Sequence, residues 1–153
     1  MIRIFVDTNI LISAILKPQS DVAMAYYKAL LVGDVFVSKN VLNELSYVVN
    51  KKFPKMLNEY QQFLIGLEEG VTVINGPLKI DVLENKIRDE KDRPILRAAL
   101  SVDADIFLTG DKDFLEADIE RPLIMSPAEF LQYSDIPPDD PLKVADGGNK
   151  YNK

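Results

Sequence analysis

Apolar positions along this chain switch between two spacings, and the first switch comes within ten residues of the start. Ile2-Arg3-Ile4-Phe5-Val6 is rich in β-branched and aromatic types, which predicts a strand; Asp7-Thr8-Asn9 ends it with residues that suit a helix start. Ile10, Leu11, Ile12, Ala14, Ile15 and Leu16 continue as a short helix, which Lys17-Pro18 ends because proline pushes its predecessor out of the helical region. Ser20 or Asp21 caps a second helix through Val22, Ala23, Ala25, Tyr26, Ala29, Leu30 and Val32, stopped at Gly33. Val35-Phe36-Val37 has the continuous apolar character of a buried strand, and Ser38 is a good cap for a third helix.

In that third helix Val41, Leu42, Leu45, Val48 and Val49 recur at helical spacing and make one apolar face. At about 100° per residue, Glu44 falls roughly 40° beyond Val48, at the margin of that face. Met56, Leu57, Tyr60, Phe63, Leu64 and Leu67 predict a fourth helix, Val71 to Ile74 a third strand, and Asn75-Gly76-Pro77 a turn. Pro94 stands in the first turn of a helix carrying Ile95, Leu96, Ala98, Ala99 and Leu100, with Asp92 beside its N-terminus. Asp105 to Leu108 is a strand running into Thr109-Gly110-Asp111-Lys112-Asp113, which repeats the arrangement at Asp7. Pro122 to Met125 supplies a last strand, and Ser126-Pro127 opens a final helix.

Alternating strands and helices with near-continuous apolar strands predict an α/β protein: a three-layer α/β/α arrangement around a central, mostly parallel sheet of about five strands. Pro, Asp, Gly and Asn dominate from 135 to 153, so one domain over 1–134 and a flexible C-terminal tail over 135–153 are expected. In a parallel sheet the strand ends carrying Asp7 and Asp111 emerge on one edge, where open α/β sheets bind ligands. Each acid also has an ordinary explanation: Asp7 and Asp92 as caps, Glu44 as a snorkelling edge residue, Asp89 and Glu90 as loop acids. Brought together, four carboxylates repel and raise one another's pKa, a cost that a cation offsets.

Composition narrows the chemistry. The 153 residues, 47% hydrophobic and 27% charged, suit one domain with a sizeable core. With no His and no Cys, the chain excludes disulfides, thiolate zinc sites, thiol nucleophiles and every mechanism that uses imidazole. Carboxylates, hydroxyls, Lys, Arg and Tyr remain, and a carboxylate-only site suits magnesium or manganese rather than zinc. The net charge of -6 argues against coating nucleic acid by bulk attraction. A local basic rim from Lys17, Lys39, Lys51, Lys52, Arg88 and Arg93 is nevertheless expected. No run approaches the roughly 20 apolar residues of a membrane span, and Asp7, Asn9 and Ser13 break the first apolar stretches. No signal peptide and no membrane association are therefore expected, and the expected location is cytoplasmic.

Taken in order, these residues resemble the PIN-domain nucleases, in particular the VapC-like toxins of bacterial and archaeal toxin–antitoxin pairs. The resemblance runs from Ile2 to about Leu131: a strand ending in Asp7-Thr8-Asn9, a helical Glu44, Asp92 opening an Ile-Leu-Arg-Ala-Ala helix, and Thr109-Gly110-Asp111-Lys112-Asp113. It implies a metal-dependent endoribonuclease that hydrolyses RNA phosphodiester bonds, with Asp7, Glu44, Asp92 and Asp111 as catalytic acids around magnesium or manganese. Asp113 would be an auxiliary metal acid, while Thr8, Asn9 and Thr109 would orient the metal shell or bind phosphate. RNA as substrate, a cognate antitoxin as protein partner and a homodimeric assembly belong to the same implication. Asp89 competes with Asp92, which has the better register to its helix, and Asp111 and Asp113 are exchangeable within one turn. Two alternatives stand beside this: a catalytically inactive PIN-like binding module, and another Asp-based α/β phosphotransfer enzyme. Retention of all four acids counts against the first. A haloacid-dehalogenase-type enzyme needs a second Asp where this chain has Asn9, and a receiver domain needs an acidic pair with a lysine at a later strand end.

Overall fold

Two acidic strand ends meet because of the order in which the chain lays down its strands. The computed structural model describes residues 1–134; the stretch read as a tail, 135–153, lies outside the described residues. The elements run β1 (Ile2–Val6), α1 (Thr8–Leu16), α2 (Asp21–Val32), β2 (Gly33–Ser38), α3 (Lys39–Lys52), α4 (Leu57–Gly70), β3 (Val71–Ile74), α5 (Arg93–Ser101), β4 (Ile106–Leu108), α6 (Lys112–Leu115), β5 (Leu123–Met125) and α7 (Pro127–Gln132). All four strand pairings are parallel and the order is β3-β2-β1-β4-β5, the middle layer of a three-layer α/β/α fold. The chain thus winds outward from β1 through β2 to β3, then returns past β1 to β4 and β5. The reversal falls between β1 and β4, the place where an open parallel sheet leaves a crevice at its carboxyl edge. Val6 is in register with Leu108, so Asp7 and Thr109 leave the sheet side by side, and the Asp7 N–H donates to the Leu108 carbonyl at 3.0 Å.

The two central strands are apolar because both of their faces are covered. Ile4, Phe5, Val6, Phe107 and Leu108 have no more than traces of exposed surface. Phe107 stacks edge-to-face on Phe5 and on Phe114, with ring centroids 5.6 and 4.8 Å apart. Phe114 therefore fastens the acidic turn 109–113 to the core, and its fully buried ring leaves Asp111 and Asp113 facing outward. Boundaries shift slightly from expectation. The first helix starts at Thr8 with Asp7 as its cap, β2 extends over six residues, and β4 and β5 are confined to three each. None of the described helices is long and apolar enough to cross a membrane.

Gly33 ends α2 differently from expectation. Its backbone is extended, with φ -152°, and it already pairs as the first residue of β2. A Cβ there would stand 2.7 Å from the Ile2 carbonyl oxygen and 2.9 Å from two side-chain carbons of Ile2 and Ile4. Close approach of β1, not left-handed conformation, requires the glycine. Gly33→Ala is accordingly expected to cost about 1–3 kcal/mol through overpacking, read as a lower midpoint in denaturant with unchanged slope.

Residues 78–92 carry no periodic pattern, yet they form an ordered strap before α5. Two short 3-10 turns, Val82–Lys86 and Glu90–Asp92, shape it, and Ile87 is its buried apolar anchor. Arg97 of α5 reaches back to hold Glu84 through two hydrogen bonds of 2.7 and 2.8 Å and also donates to the Pro77 carbonyl. One turn earlier on the same helix face, Arg93 donates from Nε to the Ile87 carbonyl at 2.9 Å. The strap delivers Asp89 and Asp92 to the carboxyl edge of the sheet.

Candidate active site

Asp7 is the buried centre of the site, with 5% of its surface exposed. As N-cap of α1 its Oδ1 accepts the Thr8 N–H at 2.7 Å, and its Oδ2 accepts the Thr109 hydroxyl at 2.7 Å. Thr8 in turn donates its hydroxyl to Glu44 Oε1 at 2.5 Å. Thr109 Oγ1 accepts the Asp111 N–H at 3.0 Å, and Asp111 Oδ1 accepts the Asp113 N–H at 2.9 Å. The two threonines thus tie the acid of β1 to the acid of α3 on one side and to the acidic turn after β4 on the other. Asn9 is exposed and lies against that turn: a Cβ on Gly110 would stand 3.8 Å from Asn9 Nδ2.

Burial raises the Asp7 pKa from its ordinary 3.8 to about 7, against the lowering effect of its two hydrogen bonds; the charges of Glu44 and Asp111 push the same way as burial. Asp92 is raised to about 6, first by desolvation and then by the charges of Asp111, Asp89, Glu44 and Asp113. Every acid nominated from the sequence therefore lies in the electrostatic field of another, and Asp111 acts on both Asp7 and Asp92. Asp92 also loses its ordinary explanation, because its side chain caps nothing at the start of α5. Asp89 caps the 90–92 turn, accepting the Lys91 N–H at 3.0 Å, and joins the group: carboxylate oxygens of Asp89, Asp92 and Asp113 lie within 4.8 Å of one another.

The expected basic rim separates into near and far residues. Arg88 pairs with Asp113 at 2.6 Å, and Arg93 bonds Ile87 O and stands 3.6 Å from Glu90, so both neighbour the acids but are engaged. Lys39 begins α3 and is exposed. Lys51 and Lys52 lie in the last turn of α3, about 10–12 Å along the axis from Glu44, and Lys17 closes α1 at the end opposite Asp7. The structure does not bring these three to the acids, because each follows its helix away from the carboxyl edge. An open cleft of about 300 Å³ beside the acids is lined instead by Asn40, Glu44, Asp89, Lys91, Asp92 and Ile95. Asn40 and Lys91 were not nominated from the sequence. The available signals were the i, i+4 spacing of Asn40 to Glu44 and the position of Lys91 beside Asp92.

The donor set fits a hard divalent cation. It offers carboxylate oxygens, hydroxyls and no soft ligand. Among the described residues, Asp7, Glu44, Asp92 and Asp111 form no ion pair with Lys or Arg. Their mutual repulsion is left uncompensated by the protein itself.

Known proteins agree with this architecture. Residues 3–113 match a family model described as PIN domain. Among solved structures, VapBC2 from Rickettsia felis bound to a DNA fragment from their promoter is similar, with TM-score 0.62 and 20% identity over 82% of this chain and 98% of that chain. FitAcB from Neisseria gonorrhoeae is similar with TM-score 0.61 and 21% identity, over 82% of this chain and 98% of that one. DNA-bound VapBC from Salmonella typhimurium has TM-score 0.58 and 18% identity, over 83% and 99%. No curated protein matched the chain by sequence. At these identities the structural likeness speaks for the fold, while the family match extends over most of the chain, from β1 through the acidic turn after β4. The chain belongs to the PIN-domain family.

Proposed function

We propose that this protein is a divalent-metal-dependent endoribonuclease, acting in the cytoplasm as the toxin of a toxin–antitoxin pair, with a cognate antitoxin as partner and a homodimer as its assembly. The observation that carries the catalytic part is Asp7: a carboxylate with 5% exposure, no cationic partner among the described residues and a pKa near 7, held between Glu44 and Asp111. A protein keeps such a costly group where function uses it. Asp7, Glu44, Asp92, Asp111 and Asp113 would hold magnesium or manganese, with Asp89 adding a further carboxylate. When bound, such an ion lowers the pKa of an attacking water and offsets charge on the phosphodiester oxygens. Thr109 and Thr8 keep Asp7 and Glu44 oriented by donating their hydroxyls to the two carboxylates. Asn9, beside the 109–113 turn, is available for phosphate. The toxin assignment draws support from the family and from the similarity to VapBC and FitAcB structures.

Purified protein is expected to cleave single-stranded RNA internally in magnesium or manganese and to lose this activity in excess EDTA. Undiminished cleavage in EDTA would overturn the metal-carboxylate assignment. Co-expression with the product of a small adjacent open reading frame tests the partner: a stable co-purifying complex that blocks cleavage is expected of an antitoxin.

A further inference from the structure

We propose that Asn40 and Lys91 form the substrate-binding wall of the cleft and receive one unpaired nucleotide next to the phosphate presented to the acids. The assignment rests on the proposed nuclease activity and adds residues that bind the substrate.

A polyanion approaching a group of carboxylates needs a cation on its path. Arg88 is committed to Asp113 at 2.6 Å and Arg93 to Ile87 O at 2.9 Å. Lys91 lines the cleft itself, is exposed, and forms no ion pair among the described residues. Its backbone is nevertheless fixed, because its N–H is held by the Asp89 carboxylate at 3.0 Å. An unspent ammonium on an anchored turn, one residue from Asp92, is placed to meet a phosphate.

Asn40 supplies the complementary wall. It stands in the first turn of the 14-residue helix α3, whose N-terminal end favours negative charge, and four residues before Glu44 on the same face. A Cβ on Gly76 would stand 2.7 Å from Asn40 Oδ1, so the glycine leaves room for the carboxamide to pack against it. No hydrogen bond uses that carboxamide among the described residues, which leaves two donors and an acceptor for a ribose or a base edge. Ile95, 6% exposed, gives the cleft an apolar floor against which a base can rest. A volume of about 300 Å³ is at the small end of ligand sites. It matches the bulk of one splayed nucleotide, in keeping with recognition of unpaired RNA.

The test is fluorescence anisotropy with a labelled single-stranded oligoribonucleotide in magnesium, on the full chain carrying Asp7→Asn to prevent turnover. Circular dichroism first establishes that each further variant is folded. Lys91→Ala is expected to weaken binding by about fivefold to tenfold and to flatten the slope of log affinity against log salt by about 0.7, one phosphate contact on a single strand. Asn40→Ala is expected to weaken binding by roughly threefold to tenfold without changing the slope, and Lys91→Arg to retain most of the affinity. Lys55→Ala, at an exposed lysine in the short Pro54–Met56 turn between α3 and α4 and outside the cleft, should leave both quantities as they were, and the same oligonucleotide annealed into a duplex should bind at least about tenfold less well. Unchanged affinity and slope for Lys91→Ala, an equal loss for Lys55→Ala, or equal binding of the duplex would each overturn the proposal. Absence of magnesium-dependent cleavage by the parent chain would overturn the nuclease reading instead, because the binding comparison does not depend on turnover.

Discussion

Asp7→Asn is expected to abolish cleavage and, in the absence of divalent metal, to raise the melting temperature at pH 8. Both effects come from one carboxylate. Its pKa in the folded chain is displaced upward from 3.8 to about 7, chiefly by burial. A raised acid contributes its full stability below the unfolded value and loses it as pH rises through the folded one. The metal-free protein should therefore weaken between about pH 4 and pH 7, and above that range the ionised Asp7 costs up to about 4 kcal/mol.

Asparagine keeps the shape and removes the charge. Its Oδ1 still accepts the Thr8 N–H, and its Nδ2 donates to Thr109 Oγ1, which has a second lone pair for the Asp111 N–H. The relief should amount to about 1–3 kcal/mol, smaller than the full cost because the Thr109 hydroxyl must reorient. Melting scans at pH 5 and pH 8 read this directly: the parent loses stability between the two, and the variant loses less, keeping the part that comes from the raised Asp92. Magnesium should stabilise the parent more than the variant, since only a ligand that prefers the native state shifts the equilibrium. An unaltered magnesium response together with a lower melting temperature for Asp7→Asn would return Asp7 to the role of a helix cap, whose loss costs about 1 kcal/mol.

The acidic strand ends were legible in the sequence because a parallel sheet requires continuous apolar strands and turns their polar successors outward. Ile2 to Val6 and Ile106 to Leu108 left Asp7 and Asp111 no place other than the carboxyl edge. Glu44 was legible for a similar reason: a helical angle set it at the margin of a buried face, where Thr8 meets it. The cations were not. A lysine count says nothing about which end of a helix reaches the site: Lys17, Lys51 and Lys52, expected in a basic rim, lie at far helix ends, and among the described lysines Lys91 lines the cleft. Arg88 and Asp113 pair across 25 residues, and no local pattern announces that. The strap was least legible, because Glu84 looks like one loop acid among several and is buried only through a partner on a later helix.

That partner carries the second large effect. Glu84 is 2% exposed, and its carboxylate bonds Arg97 through both oxygens while one of them also accepts the Asp81 N–H. These contacts hold its pKa below the ordinary 4.5, with the Arg97 hydrogen bond as the largest cause. Stability from a depressed acid is present above its unfolded pKa and fades as pH falls through the folded one, so this pair opposes the trend set by Asp7. Replacing Arg97 by Met leaves a buried carboxylate without its counter-ion, a loss of about 3–5 kcal/mol for the Glu84 environment. Chemical denaturation at pH 7 should show it as a lower midpoint. Because the strap also carries Asp89 and Asp92, cleavage should fall with it even where the chain remains folded. Adding Glu84→Met to that variant removes the stranded charge and should recover most of the stability, since buried ion pairs are often replaceable by apolar side chains of similar size. Activity should recover less, because the apolar pair no longer fastens Pro77 and Asp81 at fixed positions. A double variant as unstable as the single one would show that the strap depends on Arg97 for its packing and not for its charge.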